Sequence, residues 1–193
     1  DALPVFLDEG IHIHWARLVW SLQPFHAASD GKLLSIWLQA AFWPFVGTSW
    51  VARASTVMVA TIGFAALLAF GRRLRPRLAS TLACAIYVAL PLTIFFDRMA
   101  LVDAVSAAEV MLLIHMTALT LQSRSSGDGR VAGLILAITL LTKLTNIVFV
   151  IIPLAGAITL SKPGKRLAIW TRAALIYLYA TALLLPAVAV LLY

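Results

Sequence analysis

Apolar stretches of about twenty residues dominate the chain from residue 49 onward, and short polar or basic segments separate them. Each stretch predicts a membrane-spanning helix, because about twenty helical residues, each rising about 1.5 Å, cross about 30 Å of hydrocarbon. Barrel strands would instead alternate apolar and polar residues over about ten positions, a pattern that these continuous runs lack. The predicted segments lie at about 49–70, 78–96, 100–121, 131–142, 145–160 and 167–190.

The first 47 residues follow a different pattern, in which charges, histidines and tryptophans interrupt short amphipathic runs at 11–22 and 33–45. Five of the six tryptophans lie at or before residue 50, and tryptophan favours the headgroup level of a bilayer. We therefore expect helices that lie along the membrane surface. The predicted fold is all-α, a polytopic transmembrane helical bundle (48–193, about six membrane segments) preceded by an outer-face loop with amphipathic interfacial helices (1–47).

Basic residues orient the predicted segments. Arginine and lysine cluster at 71–77 and 161–166 and flank the Gly/Ser-rich link 123–130, so the positive-inside rule places all three links in the cytoplasm. The apolar stretch between the last two links must then cross twice, with short halves and an outer turn near Lys143. On this assignment ten of fifteen basic residues lie on the inner side, and seven of eight acidic residues lie on the outer side or in the outer half.

Composition excludes several classes of protein. A chain that is 62% hydrophobic and 12% charged is too apolar for a water-soluble domain. The net charge of +7 is dispersed between apolar runs, so it predicts membrane topology rather than nucleic-acid binding. The single cysteine, Cys84, excludes an internal disulfide framework. Since the chain starts at Asp1 and ends inside an apolar stretch, we expect it to be part of a longer protein.

The predicted outer face gathers charged residues from six separate segments. Carboxylates there can act as general bases on an acceptor hydroxyl or amine, and lysine or arginine can neutralise a leaving phosphate. A network of purely structural ion pairs is the alternative interpretation, because ion pairs also gather charges. The residues are Asp8, Glu9, Lys32, Arg53, Asp97, Arg98, Asp103 and Lys143.

Five short motifs occur in a fixed order along these segments. They are Asp8-Glu9-Gly10, Gly31-Lys32-Leu33-Leu34, Ala52-Arg53-Ala54-Ser55, Arg98-Met99-Ala100-Leu101-Val102-Asp103 and Leu141-Thr142-Lys143. In this order they resemble the GT-C superfamily of polyprenyl-phosphate-sugar glycosyltransferases, especially the protein mannosyltransferase and aminoarabinose transferase branch. The resemblance covers essentially the whole chain and corresponds to the amino-terminal half of such an enzyme without its first membrane helix.

The resemblance implies a role for each acidic residue of these motifs. It implies that Asp8 is the catalytic base and that the adjacent Glu9, also assigned to the catalytic pair, supports the loop or touches the acceptor. Asp103 would be the second acidic residue of the cavity, binding a divalent cation where a family member uses one or orienting the donor phosphate. The resemblance implies no other cofactor.

The basic motifs are implied to bind the donor phosphate. Lys32 resembles the lysine that meets the lipid phosphate, although Leu33-Leu34 replaces the usual Pro-Pro after it. Arg53 and Arg98 are candidate partners of phosphate or carboxylate groups. Lys143 lies where the family's short helices turn at the outer face.

The leading hypothesis is therefore an integral-membrane glycosyltransferase that moves a sugar from a polyprenyl-phosphate carrier to an acceptor at the outer face of a bacterial cytoplasmic membrane. Its expected partners are the lipid-linked sugar donor, an unidentified acceptor, membrane lipids and other membrane subunits, without nucleic acid. The alternative is a noncatalytic transmembrane subunit of a larger complex, which the correspondence to half an enzyme favours. A secondary transporter is disfavoured because no inverted repeat is visible.

Other polar residues receive plainer interpretations. Asp8 and His12 would share a helix face at i, i+4, but no second spaced pair completes a zinc site. Glu109 and His115 lie within a predicted span, where hydrogen bonding inside the bundle explains them. Gly127-Asp128-Gly129 reads as a turn.

Overall fold

The computed structural model describes residues 5–28, 30–42, 48–73, 77–123, 125–161 and 163–192. All regular structure in these ranges is helical, which confirms the all-α prediction. Two 3-10 helices, His26–Ala28 and Leu144–Val150, accompany the α-helices. The α-helices are α1 (Leu7–Trp20), α2 (Leu33–Ala40), α3 (Ser49–Gly71), α4 (Arg77–Ala89), α5 (Pro91–Phe96), α6 (Val102–Gln122), α7 (Ser126–Thr142), α8 (Ile151–Leu160) and α9 (Arg166–Leu192).

Among the described residues, three helices are long and apolar enough to cross a membrane, namely α3, α6 and α9. By length and composition they are consistent with an integral membrane protein. They are fewer than the six predicted segments, since the remaining apolar runs form shorter helices. A six-segment bundle therefore stays a prediction.

The segment predicted at 78–96 is divided, so its prediction as one continuous helix was wrong. Leu90 has an extended backbone (φ −66°, ψ 120°) and separates α4 from α5. Proline explains the break, because Pro91 lacks an N–H group and its ring disfavours helical geometry at the preceding residue. With 13 and 6 residues, α4 and α5 are each too short to span hydrocarbon alone.

The turn predicted at Gly127-Asp128-Gly129 was also wrong, since these residues belong to the first turn of α7. Ser125 precedes the helix with an extended backbone (φ −81°, ψ 125°). Asp128 lies where the positive end of the helix dipole favours an acidic side chain. This preference offsets part of the cost of two glycines in a helix.

Small residues bring the long helices together. A Cβ atom on Gly63 in α3 would lie 2.6 Å from Cα of Ala108 in α6, so the two backbones are in contact there. A Cβ on Gly133 in α7 would lie 2.5 Å from Cβ of Tyr179 in α9. Close backbone approach at small residues is a common form of helix packing in membranes.

The helix directions place particular ends side by side. Arg53, near the start of α3, and Ala100, just before α6, both contact Glu9, so these two helices start at one end of the molecule. Lys143, directly after α7, contacts Asp103 in the first turn of α6. We call this end, where α3 and α6 start and α7 finishes, the site end.

The segment before α3 packs as a small unit. The predicted amphipathic runs are helical in α1 and α2, and Ala16, Ala27, Ile36 and Ala40 form a buried apolar cluster between them. Indole N–H groups close the unit, since Trp20 donates to the carbonyl of Ala40 at 2.7 Å and Trp37 donates to the carbonyl of Pro24 at 2.6 Å. Their position at a membrane surface stays a prediction, and the end of the second run, at 43–45, lies outside the described residues.

Candidate functional site

Helix α1 separates its two acidic residues onto different faces. Glu9, His12, Ile13 and Ala16 are buried at the spacing i, i+3, i+4, i+7, which is one side of a helix. Asp8 is exposed. Asp8 and His12 therefore differ in environment, although sequence spacing had suggested that they share a face.

Glu9 is fully buried and saturated with hydrogen bonds. Arg53 binds it through both carboxylate oxygens, with Nε 2.7 Å from Oε1 and Nη2 2.8 Å from Oε2. The N–H groups of Ala100 and Phe6 donate to the same oxygens at 3.0 and 3.3 Å. Burial alone would raise the pKa of Glu9, but these hydrogen bonds outweigh it and hold the pKa below its ordinary value.

Ala100 joins three parts of the site through its backbone. Besides the bond from its N–H group to Glu9, its carbonyl accepts hydrogen bonds from Nδ1 of His12 at 3.1 Å and from Nε2 of Gln39 at 3.4 Å. His12 and Gln39 are each only 3% exposed. Ala100, two residues before α6, is thereby fixed against α1 and α2.

A second ion pair lies at the surface of the site end. Nζ of Lys143 is 2.6 Å from Oδ1 of Asp103, and these side chains are 28% and 60% exposed. An exposed pair of this kind contributes at most about 1 kcal/mol to stability. Its charges therefore remain available to a ligand at little cost.

Gly31 joins the chain just before Lys32 to the turn that carries Lys143. The carbonyl of Gly31 accepts a hydrogen bond from the N–H group of Leu144 at 3.0 Å, which links the chain before α2 to the residue after Lys143. Gly31 has φ +64°, and a Cβ there would lie 2.7 Å from Cβ of Leu144. Both features require glycine. The Lys32 ammonium itself lies 5.6 Å from the ring centre of Trp15.

The site end thus brings together most of the predicted residues. Asp8, Lys32 and Asp103 all act electrostatically on His12. Burial and Lys32 lower the pKa of its imidazole against the opposing effects of the hydrogen bond to Ala100 and of the two carboxylates. The predicted residues found at this end are Asp8, Glu9, Lys32, Arg53, Asp103 and Lys143.

Arg98 occupies a different place. It is exposed and lines an apolar groove of about 280 Å³, together with Phe64 and Val88. The neighbouring Asp97 accepts a hydrogen bond from the hydroxyl of Tyr87 at 3.0 Å. Among the ion pairs of the described residues, none joins Asp97 to Arg98. The structure does not bring Arg98 into contact with the other predicted cations.

A buried polar layer supports the turn at Lys143. The hydroxyl of Thr142 is 2.6 Å from Oε1 of Glu109, which fits the expected hydrogen bonding within the bundle. Nδ2 of Asn146 donates to the hydroxyl of Ser106 at 3.1 Å and to the carbonyl of Thr139 at 2.8 Å. These bonds attach the Leu144–Val150 3-10 helix to α6 and α7 and so fix Lys143 in place.

The divalent cation implied by the resemblance does not find a ready set of ligands. Within the described ranges, no three side chains among histidine, cysteine, aspartate and glutamate converge to hold a metal ion. One oxygen of Asp103 is also engaged by Lys143.

Sequence reasoning missed the roles of His12, Gln39 and Ala100. The helical spacing of Glu9 and His12, at i and i+3, was a usable signal because it places both on one face. Gln39 and Ala100 gave no such signal, since one is a common polar residue and the other acts only through its backbone. No protein-family model, curated protein or solved structure matches the chain.

Proposed function

We propose that the chain carries the reactive face of an integral-membrane glycosyltransferase, which moves a sugar from a polyprenyl-phosphate carrier to an acceptor at the outer face. One observation carries the proposal. The exposed carboxylate of Asp8 directly precedes Glu9, which four hydrogen bonds hold in place, and it lies at the same end as the cations Lys32 and Lys143. The resemblance described above assigns the same chemistry to these positions.

The reaction needs a base and a cationic site for the leaving group. Asp8 accepts the proton of the acceptor hydroxyl or amine while the acceptor atom forms a bond to the anomeric carbon. The bond from that carbon to the phosphate oxygen breaks, and the lipid phosphate leaves with the electron pair. Lys32 and Lys143 neutralise the developing negative charge.

Glu9 is better suited to support than to proton transfer. Its oxygens are buried and each accepts two hydrogen bonds, so neither faces a substrate. Arg53 is 7% exposed and binds Glu9 through two nitrogens, which favours a role as its carboxylate partner over one at the donor phosphate. Together the pair fixes the first turn of α1, where Asp8 lies.

A noncatalytic membrane subunit is the second candidate function. It is favoured by the fact that the ion pairs at the site end are formed within the chain, Glu9 with Arg53 and Asp103 with Lys143. Such pairs hold helices together without any ligand. This candidate predicts that replacing the exposed Asp8 changes only the surface charge of the protein and no transfer activity.

The test is the release of undecaprenyl phosphate from a panel of undecaprenyl-phosphate sugars by the protein in sealed vesicles. This product is common to all donors, so the sugar need not be known. Asp8→Asn is expected to lower kcat about 100-fold or more, the usual contribution of a general base, while the protein stays folded. Asp128→Asn, the same change in the first turn of α7, is the control and should retain wild-type kcat.

Two results would contradict the proposal. Wild-type turnover by Asp8→Asn would remove the general-base assignment. Absence of release by the wild-type protein with every donor and a membrane extract as acceptor would favour the noncatalytic subunit.

A further inference from the structure

Two side chains of α1 bind opposite polar groups of one residue. Glu9 accepts from the N–H group of Ala100 at 3.0 Å, and His12 donates to its carbonyl from Nδ1 at 3.1 Å. Glu9 and His12 are three positions apart and therefore neighbours on one helical face. These two bonds of opposite direction, which we call the Ala100 clamp, fix both the position of α1 along its axis and its rotation relative to the start of α6.

The carbonyl also fixes the protonation of the imidazole. A carbonyl oxygen only accepts hydrogen bonds, so the hydrogen of neutral His12 must be on Nδ1 and Nε2 must be bare. Nε2 is buried and has no hydrogen-bond partner in the part of the chain that the structure describes. A second proton there would create a buried cation next to Lys32, and burial and Lys32 accordingly lower the pKa of His12.

Charged groups face His12 from each neighbouring segment. Asp8 lies one turn earlier on α1, Lys32 directly precedes α2, and Asp103 lies in the first turn of α6. Asp103 follows the clamped Ala100 by three residues. The contact between His12 and Ala100 therefore joins the helix that carries Asp8 to the segment that leads to Asp103.

We propose that His12 is a positioning residue, whose neutral imidazole holds Asp8 in register with the start of α6 through the carbonyl of Ala100. This rests on the proposed function, in which Asp8 is the general base. His12 acts through the backbone and does not touch substrate. Its loss is therefore expected to slow the chemical step without weakening the binding of the donor, since Lys32 and Lys143 belong to other segments.

Two amide substitutions separate the two nitrogens of the ring. In His12→Asn the side-chain NH₂ takes the place of Nδ1 and can still donate to Ala100, whereas in His12→Gln the amide lies near the place of Nε2. We expect His12→Asn to retain kcat within about threefold and His12→Gln to lose about tenfold, the equivalent of one neutral hydrogen bond. The KM for donor should be unchanged in both. Equal kcat values for the two variants, or a change confined to KM, would overturn the proposal.

A second measurement does not depend on turnover. The ¹³C carboxyl resonance of Asp8, identified by its loss in Asp8→Asn, should shift in His12→Gln and stay in place in His12→Asn. The ¹⁵N spectrum of wild-type His12 should show hydrogen on Nδ1 and a bare Nε2. A hydrogen on Nε2, or an Asp8 resonance that has the wild-type chemical shift in both variants, would overturn the role of His12 even if transfer is observed. If the wild-type protein releases no undecaprenyl phosphate, the proposed function fails while these spectra still decide whether the clamp exists.

Discussion

At the scale of single residues, the two ion pairs of the site end have opposite energetic characters. Glu9 and Arg53 are 0% and 7% exposed, so each charge is stabilised by its partner rather than by water. A buried pair adds little stability compared with apolar residues, but removing one partner leaves an uncompensated buried charge. Asp103 and Lys143 are more exposed to solvent, and their ion pair can break with little loss of stability. The first pair suits a fixed support and the second suits a surface that must adapt to a ligand.

Arg53→Met should destabilise the protein by about 3–5 kcal/mol, because Glu9 is left buried without its partner. Adding Glu9→Gln to this variant should restore part of the loss, since the amide carries no charge. The measurement is the free energy of unfolding in detergent micelles. Lys143→Met is the matched control at the exposed pair and should cost no more than about 1 kcal/mol. Equal losses in the two single variants would contradict the assignment of Arg53.

Acid should destabilise the protein in two separate steps. His12 has a folded-state pKa below its ordinary value of 6.5, so the unfolded chain binds this proton first and stability declines as the pH falls below about 6.5. Glu9 has a pKa below its ordinary value of 4.5, so its contribution is complete above that pH and is lost as the pH falls through the lower folded-state value.

His12→Asn should flatten the upper step and leave the lower step in place. The measurement is the free energy of unfolding from about pH 8 to about pH 2, a range that covers both steps, compared with the wild-type protein. His14→Asn is the control, because His14 is exposed on the same helix and its loss should leave the wild-type decline. A decline in His12→Asn as steep as that of the wild type would show that His12 is not the residue responsible.

At the scale of helices, the close contact between α3 and α6 aligns the two chain segments that carry Arg53 and Asp103. Gly63 allows this contact, since any larger residue would meet the backbone of Ala108. Packing in a helical bundle therefore controls the geometry of a site that lies about ten residues away along α3.

Gly63→Ala should cost about 1–3 kcal/mol, the usual effect of overpacking, because a backbone atom cannot move aside as a flexible side chain can. Gly127→Ala is the control: a Cβ there would lie 3.4 Å from Oγ of Ser125, an ordinary contact distance, and alanine favours helix. Thermal unfolding in micelles compares the two. If Gly63→Ala proved as stable as Gly127→Ala, the backbones of α3 and α6 would have to lie farther apart than described.

The long helices were predictable because apolar length alone identifies them. The starts and ends of α3, α6 and α9 lie within about two residues of the predicted segments. The division at Leu90 escaped the same reasoning, since proline hardly alters the hydropathy of the run around it. The beginning of α7 escaped it because two glycines suggested a turn.

The candidate site was predictable as a set of charges and not as a set of contacts. The predicted membrane topology placed Asp8, Lys32 and Asp103 on one side of the membrane. The partner of each carboxylate depends on which side chains tertiary packing buries, and nothing local in the sequence states that Glu9 takes Arg53 while Asp103 takes Lys143. Backbone contributions such as that of Ala100 leave no trace in residue type.

At the scale of the whole molecule, a basic segment lies at the end opposite to the site end. The start of α9 lies next to the end of α6, where Arg172 donates to the carbonyl of Leu121 at 2.9 Å, and Lys165 and Arg166 adjoin it. The carboxylates Asp8 and Asp103 lie at the start of α6. Between these ends α9 exposes apolar side chains such as Leu178 and Leu185, which suits contact with hydrocarbon.

A labelling experiment tests this orientation. In a Cys84→Ala background, a membrane-impermeant maleimide applied outside sealed bacterial cells should label Asp30→Cys and spare Lys165→Cys until the membrane is opened, because the positive-inside rule places the basic end in the cytoplasm. Both positions are exposed, so accessibility to the reagent is matched. Labelling of Lys165→Cys from outside would reverse the orientation and place Asp8 in the cytoplasm.

The clamp at Ala100 has a consequence for how this site can change over time. Since residue 100 contributes an N–H group and a carbonyl and is fully enclosed, a residue whose side chain fits its space would preserve both bonds. Selection at this position would act on size and leave the identity of the residue free. Two chains could therefore share this arrangement while their sequences differ at its centre. A comparison of residue types would not detect the backbone atoms that join the site together.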